Sequence, residues 1–319
     1  MDYSRPQQLK KLPLNCDLLI PFLRFEKELE QELLLSQTDI IFKNEKVYLV
    51  SPLVKKPVWA QDWWPQVEKI PVKTKNEALK ILKSEKNRGY YYASAESPLA
   101  LSLRKELREL KLKRIEYVAP SPFDFKYFSW TQLDLENLLI CRQPTSQFPG
   151  GWHEFREDKS GPPNRAYLKL WEVLALNYIQ LKPTDVAIDL GSSPGGWSWV
   201  LSEQVARVYS IDKAPLGADI AKIKNIIYRS QDAFTVKPAE FNDVTWLFSD
   251  IICTPERLLE LLETWQTTSP VKNYVCTIKF KGDCDFNILK EFNKFPDSKV
   301  IHLYHNKNEV TWIRQGSSS

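Results

Sequence analysis

The sequence predicts an α/β protein in which a doubly wound, mainly parallel sheet follows a smaller α+β domain. Short apolar strands alternate with helical segments after residue 165. Residues 146–164 combine Pro, Gly, Ser and charged residues without periodicity, which is typical of a connector. The length of 319 residues suits about two domains. We therefore expect an α+β domain at 1–145, a linker at 146–164 and an α/β domain at 165–319.

The first domain should contain strand and helix pieces without a regular alternation. Apolar runs predict strands near 18–23, 40–42 and 47–50, and helical periodicity predicts a helix over 25–35. Further pieces follow, in chain order, at 76–83, 90–92, 104–114 and 114–118. Such a mixture is typical of an α+β domain.

The second domain begins with a predicted helix over 165–178, in which apolar residues recur near a 3.6-residue period. Strands are then predicted at 187–190, 208–212, 225–228, 244–248 and 274–280, and helices at 197–205, 255–267 and 286–295. Two closing strands follow at 299–304 and 309–314. Sheets of this kind bind ligands beyond the carboxyl ends of their strands, so residues at these ends are candidate site residues.

Composition excludes several classes of protein. A content of 43% hydrophobic and 26% charged residues excludes fibrous and disordered chains. The sequence has no run of about 18 apolar residues and no apolar signal region at its start, so we expect a cytoplasmic protein without a membrane partner. Five scattered cysteines and three histidines form neither a disulfide framework nor a metal-ligand pattern, and we expect no metal site.

Positive charge is concentrated in the first half of the chain. The first 150 residues carry a net charge of +5, whereas the remainder carries −1. In the predicted helix at 104–114, Arg104, Arg108 and Lys111 would share one face. Such a face is either simply solvated or contacts phosphate groups, and charge alone leaves both interpretations open.

Three of the ten glycines lie within six residues, between the predicted strand at 187–190 and the helix that follows. Glycine lets the backbone approach a ligand closely, because it tolerates positive φ and has no Cβ. A P-loop would need Lys and then Ser or Thr after its last glycine, but Trp197 follows Gly196. The dinucleotide pattern G-x-G-x-x-G also fails, since Ser193 replaces its second glycine.

The remaining pattern, Asp-x-Gly-x-x-Pro-Gly-Gly within 187–199, resembles the cofactor loop of the FtsJ-like ribose 2′-O-methyltransferases. The resemblance implies a Rossmann-like class I methyltransferase domain that binds S-adenosylmethionine. Asp212 would accept the cofactor's ribose hydroxyls, Asp232 would contact its adenine amino group, and Asp189 would orient the loop and the methionine end. The cofactor-binding residues implied by the resemblance are Asp189, Gly191, Ser193, Pro194, Gly195, Gly196, Trp197, Asp212, Asp232 and Asp250.

The same resemblance implies four catalytic residues, namely Lys169, Asp250, Lys279 and Glu309. A ribose 2′-hydroxyl is a poor nucleophile and needs a base to take its proton. We expect Lys279 to be that base, with its pKa lowered by burial and by the neighbouring Lys169. The two carboxylates would orient the lysines and the ribose. Lys281, two residues further on, is a competitor for the role of base.

Within the family, the resemblance is greatest to the RlmM-type enzymes, which implies RNA as the partner, with a cytidine of the 23S ribosomal RNA of the large subunit as the target. The match covers about 150–314 and is faint before it, where we expect a reduced THUMP-like RNA-binding domain. Trp63 and Trp64 in that domain could fill its core or stack on unpaired bases. We expect no DNA partner, and the sequence leaves the oligomeric state unknown.

Two other functions stay open on the sequence alone. A class I methyltransferase with a protein or small-molecule acceptor would have little use for two lysines around the acceptor. A non-catalytic RNA-binding relative would have no chemical need for the glycine loop, Asp212 and the four catalytic residues together. Titration with S-adenosylmethionine separates such a relative from an enzyme.

Overall fold

The computed structural model describes residues 15–94, 97–107, 109–119, 126–134 and 136–316. They form two compact units. The first comprises the described residues of Met1–Arg114 and Phe123–Glu154, and the second those of Ile115–Pro122 and Phe155–Ser319. The predicted linker therefore divides at Glu154, with its two parts belonging to different units. No helix in the described ranges is long and apolar enough to cross a membrane.

The first unit contains two four-stranded sheets in its described residues, each accompanied by helices. The first sheet has the order β2-β3-β1-β4, and the elements of this part are β1 Asp17–Pro21, α1 Glu26–Leu35, β2 Ile40–Lys43, β3 Tyr48–Val50 and β4 Ala60–Trp64. The second has the order β5-β8-β7-β6, with β5 Glu68–Pro71, α2 Lys75–Ser84, β6 Arg88–Tyr91, α3 Pro98–Glu106, β7 Tyr127–Thr131 and β8 Asn137–Cys141. The expected α+β character is confirmed.

The two neighbouring tryptophans of β4 have different environments. Trp64 is fully buried in the core with Leu18 and Leu49, and its indole N–H donates to Asp62 Oδ2 at 2.9 Å. Trp63 is partly exposed and donates through its indole N–H to Asp17 Oδ2 at 2.8 Å. Because alternate residues of a strand point to opposite faces, only Trp63 retains a surface that a base could reach.

The predicted basic helix over 104–114 is wrong, since α3 ends at Glu106. Leu107 has extended backbone angles, and the Leu110 N–H donates to the Gly89 carbonyl at 3.0 Å. The free edge of β6 thus provides the backbone with a hydrogen-bond partner that replaces the next helical turn. Arg104 and Lys111 do not share a helical face, and Arg108 lies outside the described residues.

The second unit is built on one seven-stranded sheet, with the order β11-β10-β9-β12-β13-β15-β14 in the described part. Its elements are α4 Tyr167–Ala175, β9 Val186–Leu190, α5 Gly196–Ser202, β10 Arg207–Asp212, β11 Ile226–Ser230, β12 Trp246–Ser249, α6 Pro255–Thr268, β13 Asn273–Lys279, α7 Phe286–Phe292, β14 Ser298–Ile301 and β15 Glu309–Gln315. The strands from β11 to β13 in this order are parallel, and β15 is antiparallel to both of its neighbours, β13 and β14. The predicted doubly wound, mainly parallel sheet is confirmed.

Strand direction brings the candidate residues to one edge of this sheet. Asp212 and Lys279 end β10 and β13, and Asp250 directly follows β12. Glu309 begins β15, but that strand is antiparallel to β13, so its start lies at the same edge as the end of β13. Residues far apart in the chain are therefore assembled beyond the carboxyl ends of the parallel strands.

Candidate active site

The glycine loop between β9 and α5 requires glycine for steric reasons. Gly191 has φ +77°, and a Cβ there would lie 2.8 Å from the Ile251 Cβ. Gly195 has φ +110°, a conformation that L side chains rarely adopt. A Cβ on Gly196 would clash with the Asn164 Oδ1. The three glycines thus allow the loop to pack tightly against neighbouring segments at the edge of the sheet.

A pocket of about 440 Å³ lies beside this loop. Its lining combines carboxylates, cations and a few apolar side chains: Asn164, Gly191, Ser193, Asp212, Lys213, Asp232, Ala233, Phe234, Asp250, Ile251, Ile252, Arg257 and Lys279. Five of the residues predicted to bind the cofactor are in the lining, namely Gly191, Ser193, Asp212, Asp232 and Asp250. Two of the predicted catalytic residues, Asp250 and Lys279, border the same pocket.

The other predicted cofactor residues form the loop and its support. Gly195 is the N-cap of α5 and Gly196 its first residue, and Pro194 follows Ser193 through a cis peptide bond. The buried Trp197 indole N–H donates to the Ala166 carbonyl at 2.9 Å. These residues do not line the pocket, and their proposed contacts with a cofactor remain predictions.

Asp189 also lies behind the loop. Its side chain is buried, and its Oδ2 accepts a hydrogen bond from the Ser198 hydroxyl at 2.6 Å. Burial raises the pKa of the Asp189 carboxyl to about 7, with smaller contributions from Asp250 and Asp212. This carboxyl connects the end of β9 to α5, an arrangement suited to orienting the loop.

Two carboxylates stand at the part of the pocket next to β10 and β11. Asp212 accepts the Ser193 N–H at 3.0 Å through one oxygen and the Ala214 N–H at 2.9 Å through the other. Asp232 accepts the Phe234 N–H at 3.0 Å, and its other oxygen lies 3.0 Å from the Lys213 Nζ. The Phe234 N–H and then Lys213 lower the pKa of Asp232 below its ordinary value.

The four predicted catalytic residues form one ionic cluster. Lys169 Nζ lies 2.7 Å from both Asp250 oxygens and 3.0 Å from Glu309 Oε1. Lys279 Nζ lies 2.7 Å from Asp250 Oδ1 and 3.2 Å from Glu309 Oε2. Each ammonium therefore bridges both carboxylates, and the cluster has no net charge when all four groups are ionised.

The cluster combines buried and accessible groups. Lys169 and Glu309 are buried, whereas the Lys279 side chain is 22% exposed at the pocket. Lys281, the competitor for the role of base, is exposed and lies beyond the end of β13. Of these two lysines, Lys279 is the one that reaches both the carboxylates and the pocket.

The carboxylates control the ionisation of Lys279, and this corrects our expectation. Burial lowers the pKa of the Lys279 ammonium, but Asp250 and Glu309 outweigh burial and leave the pKa above its ordinary value. We expected burial and the neighbouring Lys169 to lower this pKa, yet Lys169 shares the same two anions. For Asp250, burial raises the pKa, and the two ammonium groups bring it below the ordinary value.

The structure adds pocket residues that the sequence analysis did not assign. Arg257 places its guanidinium 3.8 Å from the centre of the Phe234 ring, at the side of the pocket that holds Asp232. Asn164 accepts the Ala166 N–H at 3.1 Å just before α4. For Arg257, the sequence signal was its position on the helix that follows Asp250.

Comparisons with known proteins find a family model and several relatives for the second part of the chain. Residues 162–302 match the family model described as FtsJ-like methyltransferase. The Ribosomal RNA large subunit methyltransferase M of Xanthomonas oryzae pv. oryzae is 31% identical over 163 residues, which cover 47% of this chain and 46% of that protein. The protein of the same name from Shewanella amazonensis is 29% identical over 178 residues, covering 49% and 48%.

Among solved structures, the Methanococcus jannaschii fibrillarin pre-rRNA processing protein is similar, with a TM-score of 0.38 and 19% identity. The similarity covers 58% of this chain and 80% of that chain. This chain spans about half the length of the curated relatives it matches. The matched family region includes Lys169, Asp250 and Lys279, whereas Glu309 lies beyond its end.

Proposed function

We propose that this chain transfers a methyl group from S-adenosylmethionine to a ribose 2′-hydroxyl of RNA, in line with the match of residues 162–302 to the FtsJ-like methyltransferase family model. The observation that carries the proposal is the ionic cluster at the wall of the pocket. A hydroxyl acceptor has to lose a proton during transfer, and Lys279 presents a proton-accepting atom to the pocket.

The pocket residues fit the methyl donor of this family, which is S-adenosylmethionine. Asp212 and Asp232 offer carboxylate oxygens for hydroxyl and amino donors, and the glycine loop permits close approach of backbone. Asp250 provides negative charge beside the reacting region. When bound, this cofactor supplies a methyl group already activated by its sulfonium.

The cluster explains how the chain's own residues serve the reaction. Lys279 Nζ takes the 2′-hydroxyl proton as the ribose oxygen bonds to the methyl carbon and the carbon–sulfur bond breaks. Lys279 must be neutral to accept this proton. The positive charge of the cofactor's sulfonium in the pocket would favour this neutral form. Lys169 stays paired with Asp250 and Glu309, so the cluster carries one net negative charge while Lys279 is neutral and becomes neutral again when Lys279 takes the proton.

For the target we propose a cytidine of large-subunit ribosomal RNA. The support is the similarity to relatives named Ribosomal RNA large subunit methyltransferase M.

The first unit is proposed to add RNA contacts. It contains a cleft of about 600 Å³ whose lining includes Lys46, Tyr92 and Lys111. Lysine side chains supply the salt-dependent contacts with phosphate groups in RNA binding, and a tyrosine ring can stack on an unpaired base. Arg104 also lines this cleft, but its charge is paired with Glu109 at 2.7 Å.

The test is transfer of a radiolabelled methyl group to large-subunit ribosomal RNA that lacks its modifications, followed by alkaline hydrolysis. An alkali-resistant labelled dinucleotide is expected, because a methylated 2′-oxygen cannot attack the neighbouring phosphate. Label on a base would overturn the ribose assignment. Cofactor binding without RNA labelling would favour a protein or small-molecule acceptor, and absence of cofactor binding would favour a non-catalytic relative.

A further inference from the structure

Glu172 is a buried carboxylate on α4 that lies outside the ionic cluster. Its side chain is 2% exposed, and it binds the turn between β14 and β15. Oε1 accepts the Tyr304 N–H at 2.8 Å, whereas Oε2 accepts the His305 N–H at 3.1 Å and lies 2.8 Å from His305 Nδ1. A side chain that satisfies two successive backbone donors fixes the position of that turn.

The turn carries Glu309 into the cluster. Asn306 accepts the Leu303 N–H at 3.2 Å and donates through Nδ2 to the Glu309 carbonyl at 3.2 Å. The segment held by Glu172 is therefore linked by hydrogen bonds to the first residue of β15. Phe155 stacks on the His305 ring at a centroid distance of 5.4 Å, which further restricts this side chain.

The same helix contacts the same hairpin at a second point. Lys169 precedes Glu172 by three residues, a rise of roughly 4.5 Å along a helix. Lys169 binds the Glu309 side chain at 3.0 Å, and Glu172 binds the backbone of the preceding turn. These two contacts, one to the Glu309 side chain and one to the backbone of the preceding turn, hold Glu309 in place relative to α4.

We propose that Glu172 is a positioning residue for methyl transfer, which acts by holding the 304–305 turn so that Glu309 reaches both lysines of the cluster. The effect on methyl transfer that this inference predicts rests on the proposed function. It predicts that loss of Glu172 impairs the reaction without affecting the pocket, because Glu172 and the turn are absent from the pocket lining.

The experiment compares Glu172→Ala and Glu172→Gln with a matched control, Asp185→Asn. Asp185 is also a buried carboxylate of the second unit, and it accepts the Lys182 N–H at 2.7 Å and the Trp246 indole N–H at 3.2 Å. The control therefore loses a buried carboxylate elsewhere. Thermal unfolding shows whether each variant folds. If Glu172→Ala does not fold, the same measurements are made on Glu172→Gln, which retains one acceptor oxygen.

Two readouts separate positioning from general destabilisation. We expect Glu172→Ala to lower kcat about 10- to 100-fold with the KM for S-adenosylmethionine within about twofold, as misplacement of a catalytic group does. We also expect the ε-carbon resonance of Lys279, assigned with Lys279→Arg in ¹³C-lysine protein, to titrate at lower pH, since Lys279 loses the nearby Glu309. Glu172→Gln should be intermediate.

The control and the wild type decide between explanations. Asp185→Asn should lose thermal stability but keep the wild-type kcat and the wild-type Lys279 titration. Wild-type Lys279 titration in folded Glu172→Ala, or an equal change in Asp185→Asn, would overturn the positioning role. Absence of methyl transfer by the wild type would instead count against the proposed function, while the Lys279 titration would still test Glu172.

Discussion

Lys279 and Glu309 face each other directly across the antiparallel pair β13–β15, with Nζ 3.2 Å from Oε2. The end of one strand and the start of the other thus bring opposite charges together at the pocket. Cross-strand neighbours are held by the backbone ladder, so the relative position of these two groups does not depend on a mobile loop. The predictions below begin from this pair.

Replacement of Lys279 should remove the base of the reaction. Lys279→Ala should lower the methyl-transfer rate about 10²- to 10⁴-fold, the usual contribution of a general base. Lys281→Ala is the matched control, because Lys281 lies two residues further on and is exposed. Single-turnover transfer of labelled methyl measures both variants. Equal losses in the two variants, or full activity of Lys279→Ala, would contradict the assignment.

The rate should depend on the protonation of Lys279. The pKa of this ammonium lies above its ordinary value because Asp250 and Glu309 outweigh burial. Since the neutral amine is the reactive form, kcat/KM should rise about tenfold per pH unit between about pH 7 and 10. Glu309→Gln should shift this rise to lower pH, because one anion is lost. Profiles of wild type and variant check both points, and a wild-type profile that is flat above neutrality would argue against this base.

The glycine loop can be tested with two glycines of similar backbone conformation. Gly195 has φ +110° and Gly282 has φ +107°, so alanine is strained at both positions by about 1–2 kcal/mol. A Cβ at 195 would also lie 2.7 Å from the Ile220 Cγ2, whereas a Cβ at 282 meets nothing within 4 Å. Calorimetric titration should show at least about tenfold weaker S-adenosylmethionine binding for Gly195→Ala alone. Comparable binding by both variants would exclude a special role for the loop.

Stability should fall with pH because of Asp189. Its folded-state pKa of about 7 exceeds the unfolded value of about 3.9. The stabilising contribution of the protonated form is therefore complete below pH 4 and is lost as pH rises through 7. Asp189→Asn should flatten the dependence of the Tm on pH between pH 5 and 8. Equal slopes of Tm against pH in the wild type and the variant would show that ionisation of Asp189 does not destabilise the fold.

RNA binding by the first unit can be tested through its salt dependence. Lys111→Ala, in the cleft lined by Lys46 and Tyr92, should weaken binding and reduce the slope of log K against log salt by about one. Lys80→Ala on α2 is the control, since Lys80 is exposed and lies outside that cleft. Filter binding at several salt concentrations measures the slope. If the two variants behave alike, the proposed cleft is not the contact surface.

The sequence by itself determined the type of each element in the second domain and the residues at their ends. Apolar periodicity and strand length predicted the parallel core, because buried strands appear in the sequence as short apolar runs and the helices between them show a 3.6-residue apolar period. The glycine loop was recognisable from the spacing of its glycines, and Asp212 from its place at the end of a predicted strand, whereas the cofactor roles of both were implied by the family resemblance.

Only the tertiary structure decided how the charges combine. Lys169 and Glu309 are 140 residues apart in the chain, and no local pattern encodes a contact between them. The sign of the Lys279 pKa shift followed from Asp250 after β12 and Glu309 in β15, and it reversed the expectation based on burial and on the neighbouring Lys169. The end of α3 likewise depended on the free edge of β6, a hydrogen-bond partner that exists only after folding. Local propensity predicts elements, whereas electrostatics and backbone pairing depend on which elements become neighbours.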